Sequence, residues 1–291
     1  MEAVLNVDYF AHILVFFFIY SLVVFGLSYS THAAGILSLG HGAFYGIGAY
    51  TAALLTIHFN VGFFTATVLA GLAALLASSF IGFCSLRLKE DYLAIATLAF
   101  LEVTRQLLYN WSSVTNGAYG LAGIPPAQLF GFEARQPVSF LPISIILSLF
   151  GIVIITRISR TPLGFSILAS TDDPIALQTF GKRPTVLKLG VLSISAFLAG
   201  VAGSQYAFYV NYVHPNDFGL STSIMFLAIA MIATARRPIA GCFVGLLLFF
   251  VTSELLRLLN FPAEVKGNLI QILTALTIFL VVLFRERHAK K

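Results

Sequence analysis

Apolar residues run through this chain in long blocks that rarely break for a charge. A helix crossing the hydrocarbon core of a bilayer needs about 20 mostly apolar residues. By that measure nine segments qualify, near 9–29, 33–58, 61–86, 92–110, 138–156, 188–213, 220–236, 239–259 and 268–284. The second and sixth are long enough to tilt or to break at their glycines, and only Arg236, Arg237 and Pro238 separate the seventh from the eighth. The pattern predicts an all-α fold: a polytopic transmembrane helix bundle of about nine spans (eight to ten), forming one domain over residues 1–291. No internal repeat or low-complexity tract interrupts it.

Composition excludes the alternatives. Hydrophobic residues make up 58%, charged residues 10%, and mean hydropathy is +0.92. A soluble globule carries about 25% charged residues on its surface, and a disordered chain is polar and charged. The N-terminus opens with Glu2 and Asp8 rather than a basic region, and its apolar run exceeds twenty residues. The first segment is therefore expected to stay as a helix rather than to be cleaved as a signal.

Basic residues orient the bundle. With the N-terminus outside, Arg87, Lys89, Arg157, Arg160, Lys182, Arg183, Lys188, Arg236, Arg237 and the tail cations Arg285, Arg287, Lys290 and Lys291 all fall on the inner side. Only Arg135 and Lys266 lie in outer loops, with Arg105 and Arg257 in or beside spans. That asymmetry predicts an outside N-terminus and a cytoplasmic C-terminus. It also accounts for the net charge of +5 without nucleic acid, because the cations form no patch. Two connections exceed a turn: 111–137, predicted outside, and 157–187, predicted cytoplasmic.

Catalytic chemistry is not visible. The phosphate loop, His-Glu-x-x-His and Gly-x-Ser-x-Gly are missing. The histidines at 12, 32, 41, 58, 214 and 288 are scattered, and Cys84 and Cys242 sit in apolar runs as small hydrophobes. No catalytic residue, metal or cofactor is expected, and uphill transport would draw energy from a partner or a coupled ion.

Four places are more than apolar helix. Leu37–Tyr50 carries Gly40, His41, Gly42, Gly46 and Gly48 inside an apolar run. Such glycines weaken a helix or let backbones approach closely. The reading is either a glycine packing face with a satisfied histidine or a broken helix lining a pathway. Glu102 and Arg105, like Glu254 and Arg257, are three apart and share a helix face. They are either structural ion pairs or a proton-relay or substrate contact. In the third place Asp173 is an N-cap, Pro174 a first helical residue and Gly181 a stop. The short helix they delimit distributes Ile175, Leu177, Thr179 and Phe180 around itself. It must pack on something, either the bundle's own end or a soluble subunit. The fourth is Trp111–Pro126, whose Asn116, Gly117, Gly120, Gly123 and Pro125-Pro126 form a compact turn-rich loop, a lid or a landing surface.

Taken together these stretches resemble a known family. Residues 37–52 are similar to the Leu-Ser-Leu-Gly-His-Gly-Ala-Phe-x-Gly-Ile-Gly-Ala-Tyr signature of bacterial branched-chain amino acid permeases of the LivH/LivM type. Arg87–Arg105, Asn116–Pro125, residues 172–189 (at Ile175, Ala176, Gly181, Thr185, Lys188 and Leu189) and Ser195–Ala207 resemble further family stretches in order. The likeness covers about residues 30–285, and the loop 116–125 resembles the LivM branch.

The resemblance implies a non-enzymatic permease subunit of an ABC importer for branched-chain amino acids or a related small polar solute such as urea or amides. Its setting would be the bacterial inner membrane. Partners would be membrane lipid, ATPase subunits holding the ATPase activity, a second, LivH-like permease, and an extracytoplasmic binding protein. Gly40, His41, Gly42, Gly46, Glu102 and Arg105 would line the substrate pathway. Asp173, Ile175, Ala176, Leu177, Phe180 and Gly181 would couple to the ATPase, and Asn116, Gly117, Gly120 and Gly123 would meet the binding protein. The chain departs from the pattern at Pro174, Leu177 and Ala233-Thr234-Ala235-Arg236-Arg237. A stand-alone transporter or channel coupled to an ion gradient through His41 or Glu102/Arg105 is the alternative.

Overall fold

The computed structural model describes residues 7–85, 90–129, 132–233 and 238–258, with isolated positions 269, 272 and 276. Its helices are α1 (Val7–Ala34), α2 (His41–Phe59), α3 (Phe63–Ser85), α4 (Glu90–Asn110), α5 (Ser112–Thr115), α6 (Pro137–Ser159), α7 (Pro162–Asp172), α8 (Pro174–Thr179), α9 (Pro184–Val210), α10 (Leu220–Ile232) and α11 (Pro238–Leu258). Single 3-10 turns cover Gly117–Tyr119 and Pro215–Phe218.

Among the described residues six segments are long and apolar enough to cross a membrane: Val7–Ala34, Phe63–Ser85, Pro137–Ser159, Pro184–Val210, Pro215–Ile232 and Ile239–Arg257. The protein is an all-α polytopic membrane helix bundle. The segments expected near 33–58 and 92–110 exist as α2 and α4, outside those six. Both are long enough, but α2 carries His41, His58 and three glycines, and α4 carries Glu90, Asp91, Glu102 and Arg105, which make them less apolar. Apart from the isolated positions 269, 272 and 276, the expected span 268–284 lies outside the described residues, as do Arg87, Lys89, Arg236, Arg237 and the basic tail.

Helix α3 shows how the bundle meets lipid. Phe64, Val68, Leu72, Leu76 and Phe80, spaced by four, are exposed, while Ala66, Ala70, Gly71, Ala74 and Ser78 are buried. In water such an arrangement would waste the large side chains, which normally fill the core. In a bilayer the large apolar groups gain nothing by turning inward, and small residues let helices approach.

Helix α9 is the central column, packed on α1, α2 and α3. Long enough by its sequence to tilt or to break at its glycines, it runs unbroken, and Gly200 and Gly203 serve close contact. A Cβ on Gly203 would lie 2.0 Å from the Tyr45 carbonyl oxygen, and one on Gly48 would lie 2.2 Å from that of Gly200. A Cβ on Gly200 would meet the Ala74 Cβ at 2.6 Å. Backbone therefore touches backbone along the α2–α9 seam.

The two ends of the bundle are tied differently. At one, called the loop end, the Tyr9 hydroxyl donates to Glu254, His12 Nδ1 pairs with the Tyr209 hydroxyl at 2.6 Å, and Arg257 lies over the Tyr9 ring. The Glu254–Arg257 pair itself closes at 3.8 Å. The other, called the α8 end, joins α7 to the last turn of α1 through Thr171 Oγ1, which donates to the Ala33 carbonyl at 3.1 Å. Short strands, unforeseen from the sequence, organise the loop end. β1 (Leu121–Ala122) pairs antiparallel with β4 (Tyr212–Val213), and β2 (Ala127–Leu129) with β3 (Phe132–Ala134).

Candidate functional site

The glycine-rich stretch does break the helical path, but earlier than its glycines imply. Helix α1 ends at Ala34, and Gly35 turns the chain with φ +62°. Residues 35–40 are non-helical, and α2 then runs continuously through Gly42, Gly46 and Gly48. The predicted span 33–58 is thus corrected: its first residues belong to α1 and to a non-helical link. Hydropathy cannot separate these cases, because the helical and non-helical stretches here are equally apolar.

The link carries the start of α2 into the protein. His41, the first residue of α2, is fully buried, and its Nε2 meets Ser195 Oγ at 2.6 Å. Ser195 is near the middle of α9, so α2 begins at about half the depth of that column. A helix start leaves unpaired amides, and here neighbouring helices take up one of them and one amide of the link. Gly42 N–H donates to Ser223 Oγ of α10 at 2.8 Å, and Leu39 N–H donates to Thr97 Oγ1 of α4 at 3.0 Å. Non-helical backbone at membrane depth is tolerated where protein buries it, and Ile36, Ser38 and Gly40 are all buried. Gly42 and Gly46 admit Ser223 and Phe218, since a Cβ would lie 2.6 Å and 2.8 Å from their side chains.

The pattern of the chain does not single out Ser195, Thr97 or Ser223, because hydroxyls are scattered through these apolar helices, as at Ser193, Ser221 and Thr222. Ser195→Ala would remove the His41 contact without adding volume. Interhelical polar contacts in membranes contribute about 0.6 kcal/mol on average and up to about 1.7. The expected outcome is a melting temperature about 2–4 °C lower in detergent; an unchanged value would show that the contact contributes nothing.

Glu102 and Arg105 are not gathered with His41. Arg105 Nε and Nη2 donate to Glu102 at 3.0 and 2.5 Å, and Nη1 donates to Asn216 Oδ1 at 3.0 Å. Their side chains are 23% and 48% exposed for Arg105 and Glu102. They sit about 8 Å (Glu102) and about 12 Å (Arg105) beyond Thr97 along α4. The pair neutralises itself at the loop end and anchors the turn before α10. In that turn Asp217 accepts hydrogen bonds from the Tyr206 hydroxyl and the His214 amide.

The loop from 111 to 126 is compact, as its turn formers predict. Asn116, Gly117, Gly120 and Gly123 have φ of +59°, +57°, +69° and +80°. Gly117 and Gly120 are buried, whereas Asn116 and Gly123 are exposed. A Cβ on Gly120 would lie 2.4 Å from the Val213 carbonyl oxygen. Asn211 Nδ2 donates to the Ile124 carbonyl at 2.8 Å, and the Tyr212 hydroxyl donates to that of Tyr119 at 2.8 Å. The loop is thus one body with the turn after α9.

At the α8 end the predicted short helix is present. Asp173 Oδ1 accepts from the amides of Ile175 and Ala176 at 3.1 and 2.9 Å, and Pro174 occupies the first helical position. Gly181 takes φ +73° beyond its end, its amide donating to the Gln178 carbonyl at 2.9 Å. The side chains divide sharply. Leu177 is buried, Ala176 is exposed, and Ile175 and Phe180 are 74% and 80% exposed. The preceding α7 escaped the sequence reading, although Thr161 and Pro162 are its cap and first residue; at 11 residues it is too short to register as a span.

Comparison with known proteins gives this geometry a lineage. The chain is 36% identical over 265 residues to the high-affinity branched-chain amino acid transport system permease protein LivM of Salmonella typhimurium, covering 83% of this chain and 62% of that protein. It is 37% identical to the protein of the same description from Escherichia coli, with the same coverage. Against a probable branched-chain amino acid transport permease protein LivM of Methanocaldococcus jannaschii it is 23% identical, covering 87% and 82% of the two chains. The chain thus spans 62% of the length of the first two relatives. No solved structure matches. The family model described as branched-chain amino acid transport system, permease component, matches residues 9–282, nearly the whole chain, and the chain belongs to that family.

Proposed function

We propose that this chain is the substrate-translocating subunit of an ABC importer of the bacterial inner membrane, moving branched-chain amino acids or a related small polar solute. The observation that carries the proposal beyond family membership is α8. A six-residue helix is unstable alone, yet this one is capped, anchored by Leu177 and left with Ile175 and Phe180 in the open. Large exposed apolar groups at the polar end of a bundle fit a partner's groove. The partner is the ATPase, and α8 (with 157–187) is cytoplasmic. The bundle then has about nine spans with the N-terminus outside, and the loop 111–137 faces the binding protein.

The pathway runs past the buried start of α2. A helix N-terminus favours negative charge, so the amides around Gly40–Gly42 suit the carboxylate of an amino acid once the neighbouring serines move aside. His41 and Gly46 shape that position. Alternation between two packings of the bundle opens it to each side in turn. A second permease subunit completes the route. The geometry of Glu102 and Arg105 favours a structural ion pair over ion coupling, because each already neutralises the other at the surface.

Reconstitution tests the proposal. Vesicles holding this chain with its ATPases, second permease and binding protein are expected to accumulate labelled leucine only with ATP inside the ATPase compartment. Accumulation by this chain alone, or uptake abolished by a proton or sodium ionophore but indifferent to ATP, would overturn it.

A further inference from the structure

At the α8 end a cavity of about 580 Å³ opens between the last turn of α3 and the turn joining α8 to α9. One wall is apolar, made by Gly82 and Phe83 of α3 and Val186 of α9; the other is polar, made by Lys182, Arg183 and Thr185. Phe83 and Val186 are 69% and 58% exposed. Lys182 Nζ donates to Ser166 Oγ of α7, which fixes the ammonium while leaving its other protons available. Among the described residues the ion pairs are elsewhere, so no described carboxylate within ion-pair distance neutralises Lys182 or Arg183.

Two features identify the occupant. The cavity lies where α3 and α9, both long and apolar enough to cross a membrane, reach their ends at the α8 side, the level at which headgroups are expected to meet acyl chains. Its surface is divided in the same sense, with cations beyond the helix ends and apolar side chains toward the span. Basic pockets between transmembrane helices recognise anionic headgroups, with each cation near the surface adding to the attraction. The geometry points to a binding site for one anionic phospholipid, its phosphate held by Lys182 and Arg183 and its first acyl carbons lying along Phe83 and Val186. Ile175 and Phe180, which α8 presents outward, are not part of this lining, whereas Gly181 is, so the site adjoins the proposed ATPase contact without including its exposed apolar face.

The test uses the full chain in nanodiscs of mixed phosphatidylglycerol and phosphatidylcholine, with retained lipid counted by native mass spectrometry after detergent exchange. Phosphatidylglycerol is expected to stay bound in preference to phosphatidylcholine. Lys182→Gln/Arg183→Gln is expected to weaken retention about 30-fold, and Phe83→Asp to weaken it through the apolar wall. Arg157→Gln/Arg160→Gln, exposed cations outside the cavity, is the control and is expected to leave retention unchanged. Gel filtration and melting temperature verify that each variant is folded. Equal retention by the wild type and the double variant would overturn the proposal, as would equal loss in the control. So would displacement of the lipid by inorganic phosphate at matched concentration, which would mark a free-anion site. Loss of co-purified ATPase with lipid retention intact would instead assign the two cations to the protein partner. ATP-driven uptake is measured separately, so failure here leaves the importer reading standing.

Discussion

Ile175→Asp is expected to strip the ATPase from the purified complex and to abolish ATP-driven uptake while the bundle folds normally. The chemistry of α8 makes this separation of effects possible. Ile175 is 74% exposed and follows Pro174 in the first turn, so the substitution removes no core contact. An acidic residue in the first turn also interacts favourably with the helix dipole, so helix formation is if anything favoured. What changes is the surface: an apolar side chain becomes a charge that would be desolvated in a partner's groove. Central apolar residues of interfaces contribute about 2 kcal/mol or more when lost, equivalent to about 30-fold in affinity. A pull-down of the ATPase and a melting curve on the same preparation check both halves of the expectation. Retention of the ATPase at wild-type level would exclude Ile175 from the contact.

Leu177→Asp gives the contrasting outcome from the same helix. Leu177 is buried, and the substitution places a charge against α7 and α9. Here the melting temperature should fall together with ATPase binding. The two variants therefore divide α8 into an anchor and a presented face, a division that residue types alone could not supply: Ile175, Leu177 and Phe180 are equally apolar in the sequence.

That division marks the boundary of what could be read in the chain. Runs of apolar residues are local, and they located α1, α3, α6, α9, α10 and α11 closely. The capping signals of α8 are local too: Asp173, Pro174 and Gly181 each act within four residues. The start of α2 was misplaced because Ala33, Ala34, Ile36, Leu37 and Leu39 continue the apolar run whether the backbone is helical or extended. What decides the conformation is the turn at Gly35 and the hydroxyls of Thr97 and Ser223 that take up the freed amides, and these come from distant helices. The His41–Ser195 contact joins residues 154 apart in the chain. The pairing of Leu121 with Val213 depends on the same tertiary placement. Small residues gave a partial signal: Gly42 and Gly46 marked α2 as a packing surface without saying against what.

The glycine seam supplies the second large effect, and its control lies in the same helix. Gly190 and Gly203 both belong to α9, but a Cβ on Gly190 has nothing within 4 Å, whereas one on Gly203 falls 2.0 Å from the Tyr45 carbonyl oxygen and 2.8 Å from the Ala49 amide nitrogen. Both obstructing atoms are backbone, so no rotamer change relieves the overlap; α2 and α9 must separate. Separation would also draw Gly48 away from Gly200 and lengthen the contact that holds His41 to Ser195. Overpacking a core typically destabilises by about 1–3 kcal/mol and sometimes more, and a backbone collision belongs at the upper end. Gly203→Ala is therefore expected to lower the melting temperature in detergent by about 6–12 °C. Gly190→Ala should leave it unchanged or raise it slightly, since alanine is the better helix former by about 0.5–1 kcal/mol. Equal shifts for the two variants would mean that close contact of α2 with α9 does not hold the bundle together. The expected inequality would locate its stability in the seam where the buried start of α2 meets the middle of α9, the same place through which the solute is proposed to pass.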